Sequence, residues 1–543
     1  MAADEFPNLP FGTEDFAPKG GGLDFLGLRV VNLRILARDL LPGINNATSD
    51  VGSFMLGTWL PWKFQQLADK NSFTNENFDR FNEGVQIAIS HSQRKDAPAE
   101  EKFGSARTRI GVEQKLSFPT DLRFGKVGRT SATSVFAAPL YGPSLRSLGL
   151  HRGFAAGDEG RNTNINLTDD GPDASGIARY VDERLEGSKA YGKLVRLDPA
   201  QLTASQLDDL GLHGLHPASY RGMSVKMKKI FAGRLLPASE SGVWNGRTLS
   251  AALLMETLRQ KPGLDGEQVL RAWHTGLLGT KRLKISNPVL AQHRELWSLF
   301  MARQYQRYCL EYFMHCFERC LDKGIRTVPA CASDILRQTG GKHSTFRAIC
   351  IAEAAALGLS GDMRSISAGW NECVHGGSAT YDWGEDLDDE LPEESAMRML
   401  ARWHLRTFTR MADWHGLEQV DWDGAERISV RWFSLWLDQK ADVPLERFLQ
   451  DLLTQFVFAQ HLRVAMGRFD GRDVQRLRFC LDDSGIVRTA AVEHDEPLEP
   501  SWMADRFGAF VALLSDLNII QQADEKLTVG LHDDFVPELG AGN

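Results

Sequence analysis

The chain has 543 residues, 43% of them hydrophobic and 24% charged, with 13 Trp. That composition excludes a largely disordered protein, and the length exceeds what one core usually organises. A net charge of −9 removes any global attraction to nucleic acid or anionic membrane, so binding of either kind has to come from a local basic patch.

The seven cysteines form no CxxC pair, which argues against a disulfide framework and fits a reduced cytoplasm. Met1 to Gly22 is polar and rich in Gly and Pro, without a signal pattern. No window approaches the roughly 18 uninterrupted apolar residues of a membrane span, so the chain reads as cytoplasmic, with no membrane partner. The apolar residues of this arm, Phe6, Leu9, Pro10 and Phe11, have to pack on something, and Trp59, Trp62 and Phe64 are the expected receptors within the chain.

A helix is predicted from about Phe25 to Leu41, ended by Pro42 and Gly43. A second runs from Val51 to Leu67 behind Thr48, Ser49 and Asp50, with Gly57 and Pro61 as interruptions. A third covers about Asn75 to Arg94. With the arm, these make an N-terminal helical module over residues 1–94. Within it, Leu26-Gly-Leu-Arg, Ala37-Arg-Asp-Leu-Leu-Pro-Gly-Ile-Asn-Asn-Ala-Thr and Trp59-Leu-Pro-Trp62 resemble the opening of uncharacterised bacterial proteins of anti-phage defence operons, some in Druantia-like gene sets beside a very large helicase. The resemblance covers roughly the first seventy residues and carries no catalytic motif. It implies a defence-system subunit with a larger helicase or effector as partner.

Residues 95–162 read as a basic, loop-rich insert containing Lys102, Arg107, Arg109, Lys115, Arg123, Lys126, Arg129 and Arg146. A central helical domain over 163–380 follows. Its first helix passes through Ile177, Tyr180, Val181 and Leu185, with Thr168 or Asp169 as cap. Two basic clusters stand out, Lys226, Lys228 and Lys229 (with Arg221 and Arg234 nearby), and Lys281, Arg282 and Lys284. If they face solvent on one side, they form the best DNA footprint in the chain, without strong sequence preference.

From Gln292 to Lys323 there is no Gly or Pro, and Leu296, Phe300, Cys309, Phe313, Phe317 and Cys320 recur at helical steps. One long buried helix is predicted, with Arg303, Arg307, Glu311, Glu318 and Arg319 as a solvated or inter-domain edge. Helices over 331–338 and 346–357 come next. Residues 381–394 read as an acidic exposed loop, 395–470 as a C-terminal helical region, and 471–543 as a small α+β module. In that last module Val474 to Val492 forms a hairpin about Asp482-Asp-Ser-Gly. A helix to Leu517 with short strands after it resembles half of a winged helix or a plain α+β cap. The fold class is mainly α, built of several modules with small α+β elements.

No GxxxxGK[ST], HExxH or GxSxG motif is present, so a P-loop, a zincin or an α/β-hydrolase is not expected. Cys309, His315, Cys316, Cys320 and Cys331 read as core packing rather than a metal site, as do Cys373 with His375. No cofactor is expected. Glu113-Gln-Lys115, and Asp438-Gln-Lys440 with Asp421 and Asp423, are the only candidates for a metal-dependent nuclease. His404 and His415 read as surface or core residues. The expected function is a non-catalytic, DNA-contacting defence subunit; the alternatives are a cryptic nuclease and a helical scaffold with no nucleic-acid role.

Overall fold

The computed structural model describes residues 24–46, 48–68, 75–92, 142–150, 154–156, 162–165, 172–196, 202–213, 223–239, 243–279, 281–339, 341–372, 392–414, 417, 428–467, 477–489, 496–501 and 505–539. It is mainly helical with four two-stranded antiparallel sheets among these residues. In chain order the helices begin with α1 (Arg29–Arg34), α2 (Val51–Leu67), α3 (Asn75–Ser92) and α4 (Gly142–Ser147). The hairpin β1 (Phe154–Ala156) and β2 (Asn162–Ile165) precedes α5 (Pro172–Glu186), α6 (Tyr191–Leu194), α7 (Ala204–His213), α8 (Val225–Leu235), α9 (Gly246–Gln260) and α10 (Gly266–Thr275). After β3 (Leu277–Leu278) and β4 (Lys281–Arg282) come α11 (Pro288–Asp322), α12 (Val328–Gln338), α13 (Phe346–Ala356), α14 (Met363–Glu372) and α15 (Pro392–Phe408). The chain continues through α16 (Val430–Lys440), α17 (Leu445–Leu452), α18 (Ala459–Gly467), β5 (Phe479–Asp482) and β6 (Gly485–Arg488). It ends with α19 (Phe507–Asp516), β7 (Ile520–Ala523) and β8 (Lys526–Val529). None of the described helices is long and apolar enough to cross a membrane.

The chain divides into two compact units, each assembled from separated segments. One contains Ala37–Gly266 and Asp505–Gly540; the other contains Ala17–Leu36 and Glu267–Ala504.

In the first unit α2 runs unbroken through Gly57 and Pro61, contrary to the expected interruption. A proline ring collides with the carbonyl four residues back, and here that residue is Gly57, which leaves the backbone room to adjust. Gly57 also lets Leu145 approach, since a Cβ there would lie 2.5 Å from Leu145 Cδ1. Trp59 and Phe64 are fully buried, Phe64 packing edge-on against Phe78 at 5.3 Å and Trp59 donating to Asp182 Oδ1 at 3.0 Å. Both are covered by α3 and α5, while Trp62 is half-buried; the N-terminal arm expected to pack here lies outside the described residues. The Pro42-Gly43-Ile44 turn is held by Arg506, which donates to Ile44 O at 2.7 Å, and by Arg247 at Pro42 O. Those contacts give the turn a structural role.

The C-terminal helix α19 and hairpin β7–β8 belong to this unit, and Leu264 adds a single antiparallel bridge to Leu527. Along α19, Phe507, Phe510, Val511, Leu513 and Leu514 are buried, and the hairpin turn carries Asp524 and Glu525. As a DNA-reading wing it would lack an exposed helix, and Lys526 at its turn stands beside the two acids.

The second unit is built around α11. Asn287 caps it, accepting from Val289 N at 2.9 Å and Leu290 N at 3.3 Å. Pro288 occupies the first turn, where its missing N–H costs nothing. The helix therefore starts four residues before the predicted Gln292. It is continuous to Asp322, about 52 Å at 1.5 Å per residue. Gly324, at φ 82°, ends it, with Ile325 N donating to Cys320 O. α15 packs along it, and α1, α12, α16 and the π-helical turn Leu453–Phe458 cover other faces. Phe300, Phe313 and Phe317 have no exposed surface.

Of the five charges expected on a solvated or inter-domain edge of this helix, four are buried and Arg319 is half-buried. Arg303, Arg307, Glu311 and Glu318 are each 3% exposed or less. Burying charges is tolerated only when they are paired or well hydrogen-bonded: Arg307, Glu311 and Glu318 are in ion pairs, and Arg303 is hydrogen-bonded to a neutral amide. Arg303 Nε donates to Asn32 Oδ1 at 3.0 Å, and Arg307 Nε to Glu311 Oε1 at 2.7 Å. Arg478 Nη2 donates to Glu318 Oε2 at 2.7 Å. The extended segment 496–501 closes the rest: Leu498 N donates to Glu318 Oε2 at 2.7 Å and Ser501 N to Glu311 Oε2 at 3.2 Å. Burial raises the Glu311 carboxyl to about 7 against the opposing pull of Arg307.

Of the acidic segment, residues 381–391 lie outside the described residues, while Pro392, Glu393 and Glu394 form the first turn of α15 rather than loop. Acids are favoured there by the helix dipole. Hairpin β5–β6 forms about Asp482 and Gly485 as expected.

Candidate nucleic-acid interface

Ser224 Oγ caps α8 by accepting from Met227 N at 3.3 Å. The buried residues of this helix are Lys228, Phe231, Ala232 and Leu235, spaced at helical steps on one stripe, while Lys226 and Lys229 are exposed. Lys228, expected in solvent, is 2% exposed, and burial lowers its pKa while Asp516 partly restores it. It is not available to a phosphate. Its place was legible from its spacing, three residues before Phe231 and seven before Leu235. Arg234 pairs with Asp173 at 3.5 Å, and Arg221 lies outside the described residues.

The other cluster belongs to the second unit and sits on the hairpin β3–β4, in register Leu277↔Arg282 and Leu278↔Lys281. Gly276 and Gly279, at φ 75° and 64°, supply the left-handed bends around it, and Leu283 N closes the base onto Gly276 O at 2.9 Å. Leu278 and Leu283 are buried, while Lys281, Arg282 and Lys284 are all exposed. Arg282 Nη2 reaches Glu372 Oε1 at 2.6 Å, tying the hairpin to the last residue of α14. The two predicted clusters thus fall in different units.

The α13–α14 pair was not singled out from sequence. Thr345 caps α13, and Phe346, Ile349, Cys350, Glu353 and Ala354 form its buried face. Glu353 holds Arg398 at 2.6 Å and Arg402 at 2.7 Å on α15. α14 buries Met363, Ile366, Ser367 and Trp370, with Ser367 Oγ donating to Leu405 O at 2.7 Å. Arg364, Ser365 and Ala368 are exposed. Small exposed residues leave no hydrophobic signal, so periodicity alone could not mark this face.

The nuclease candidates do not assemble among the described residues. Lys440 donates to Asp451 at 2.8 Å, whereas Asp438 faces Arg347 at 3.7 Å. Glu113, Lys115, Asp421 and Asp423 lie outside the described residues. Cys309, Cys316, Cys320 and Cys331 are buried in the core; burial pushes the Cys309 and Cys316 thiols up, and Cys320 Sγ donates to Cys331 O at 3.8 Å. No group of three or more His, Cys, Asp or Glu suited to a metal occurs among the described residues. Cys373, His375 and His415 lie outside them, and His404 is fully buried. A cavity of about 10 Å³ beside His274, Tyr305, Cys309 and Arg406 has room for roughly one water and no substrate.

Comparison with family models, with curated proteins and with solved structures finds no match to this chain.

Proposed function

We propose that this protein is a non-catalytic subunit of a bacterial anti-phage defence system, working in the cytoplasm, that contacts DNA and acts with a larger helicase or effector. The observation that supports the DNA contact is the exposure of Lys281 and Arg282 on the hairpin β3–β4, and of Lys284 just after it, in an otherwise acidic chain. Lys226 and Lys229 on α8 add exposed cations in the other unit. The defence context rests on the N-terminal resemblance. The six described cysteines are all free thiols, in keeping with a reducing compartment.

A gel shift with the full chain across a salt series tests the reading. Binding to DNA that weakens steeply as salt rises supports it; absence of binding at low salt overturns it and favours a protein scaffold. Mg²⁺-dependent cleavage of plasmid by the pure protein would overturn the non-catalytic assignment. Co-purification with the products of neighbouring genes tests the partnership.

A further inference from the structure

Building on the DNA reading above, we propose that Glu372 is an internal competitor of that contact: it holds Arg282 in the free protein and yields it to a phosphate when the hairpin β3–β4 takes up DNA. Arg282 Nη2 donates to Glu372 Oε1 at 2.6 Å. Both partners stand on fixed backbone. Glu372 is the last residue of α14, and Asn371 before it donates to Arg406 O at 3.1 Å and Thr409 Oγ1 at 2.9 Å while accepting from Arg406 Nη1 at 2.8 Å. On the other side, Leu283 N closes the hairpin onto Gly276 O, and Leu278 and Leu283 are buried. Forming the pair therefore orders two side chains and no backbone.

The two side chains are open to solvent, Arg282 72% and Glu372 67% exposed, so a change of partner opens no part of the core and strands no buried charge. A guanidinium engages carboxylate and phosphate with the same planar donors, and the two acceptors compete for one site. Exchanging one exposed pair for another is nearly even in free energy. Phosphate prevails once Lys281 and Lys284, both exposed and next to Arg282 in the chain, take neighbouring phosphates of the same backbone. Glu372 thus raises the threshold for binding by the cost of breaking its pair, about two- to fivefold for an exposed pair.

Fluorescence anisotropy with the full chain and a labelled duplex of about 20 bp, at about 50 mM salt, tests this through a double-mutant cycle. Glu372→Gln is expected to tighten binding about two- to fivefold in the parent. In a chain that already carries Arg282→Gln it is expected to change nothing, since the carboxylate then has no cation to withhold. Both variants are expected to melt with the parent, because the two side chains are exposed. Parent-like binding by Glu372→Gln overturns the inference and leaves the DNA reading standing. An equal gain in the Arg282→Gln chain also overturns it, because the carboxylate would then act as general repulsion. Binding by Glu372→Gln where the parent shows none supports it. Absence of binding by the parent and by Glu372→Gln alike overturns the DNA reading and the inference with it. Should Glu372→Gln shift the melting temperature, the same cycle with Glu372→Ala decides.

Discussion

Glu318 has no exposed surface and carries a full hydrogen-bond complement from Arg478 and Leu498 N. Such a pair contributes little net stability against a hydrophobic replacement, but removing one partner strands a buried charge. Glu318→Ala is expected to cost about 3–5 kcal/mol in denaturant unfolding, and Glu318→Met with Arg478→Met much less. Equal losses in both would mean the pair is not buried as described.

Four histidines in the same unit behave as a group. Burial lowers His293 and His404 to about 3 and His461 to about 4, and drives His274 well below its ordinary value. His461 shows why: its Nδ1 hydrogen-bonds Phe25 O at 3.2 Å, while its Nε2 accepts from Arg478 N at 3.0 Å, leaving no lone pair for a second proton. A folded pKa below the unfolded value gives stability that is present above about 6.5 and is lost as pH falls toward the folded value. Glu311, raised to about 7, works the other way: it adds stability as pH falls from about 7 to its unfolded value near 4.5 and so offsets one histidine. The balance of about three protons is expected to remove about 4 kcal/mol per pH unit in the range just below pH 6. Unfolding curves at pH 7.5, 6 and 5 check this, and a flat stability across them would contradict it.

Among the elements, those with strong periodicity were the legible ones. The long run of large apolar residues marks α11, and the Asp-Asp-Ser-Gly turn marks β5–β6. The charges of α11 were misjudged because spacing cannot tell a solvated polar stripe from one covered by a distant segment. Residues 496–501 and Arg478, 160 to 190 positions away, do the covering. Lys228 is the opposite case, since its spacing from Phe231 and Leu235 puts it on the buried stripe, whereas the small exposed residues of α14 carry no pattern. Phe313→Ala is expected to cost about 3–5 kcal/mol, because Phe313 has no exposed surface and α11 is packed on several sides; a change within the scatter of a melting curve would contradict it. The junction of Leu40 with α9 is tighter still. A Cβ on Gly246 would lie 2.0 Å from the backbone Asp39 O, which cannot rotate away. Gly246→Ala is therefore expected to destabilise by about 1–3 kcal/mol or more, despite alanine's better helix propensity.

At the scale of the molecule, the chain weaves two units from alternating segments, a pattern that composition and local periodicity do not encode. Its acidic balance makes any DNA contact local and electrostatic, so the dependence on salt reports how many phosphates the hairpin engages. The most direct measurement is the slope of log binding constant against log salt for duplex DNA, compared between the parent and a chain carrying Lys281→Glu, Arg282→Glu and Lys284→Glu. Weaker binding and a slope shallower by about 2 to 3 are expected, since each lost phosphate contact removes about 0.9. An unchanged affinity and an unchanged slope would contradict it.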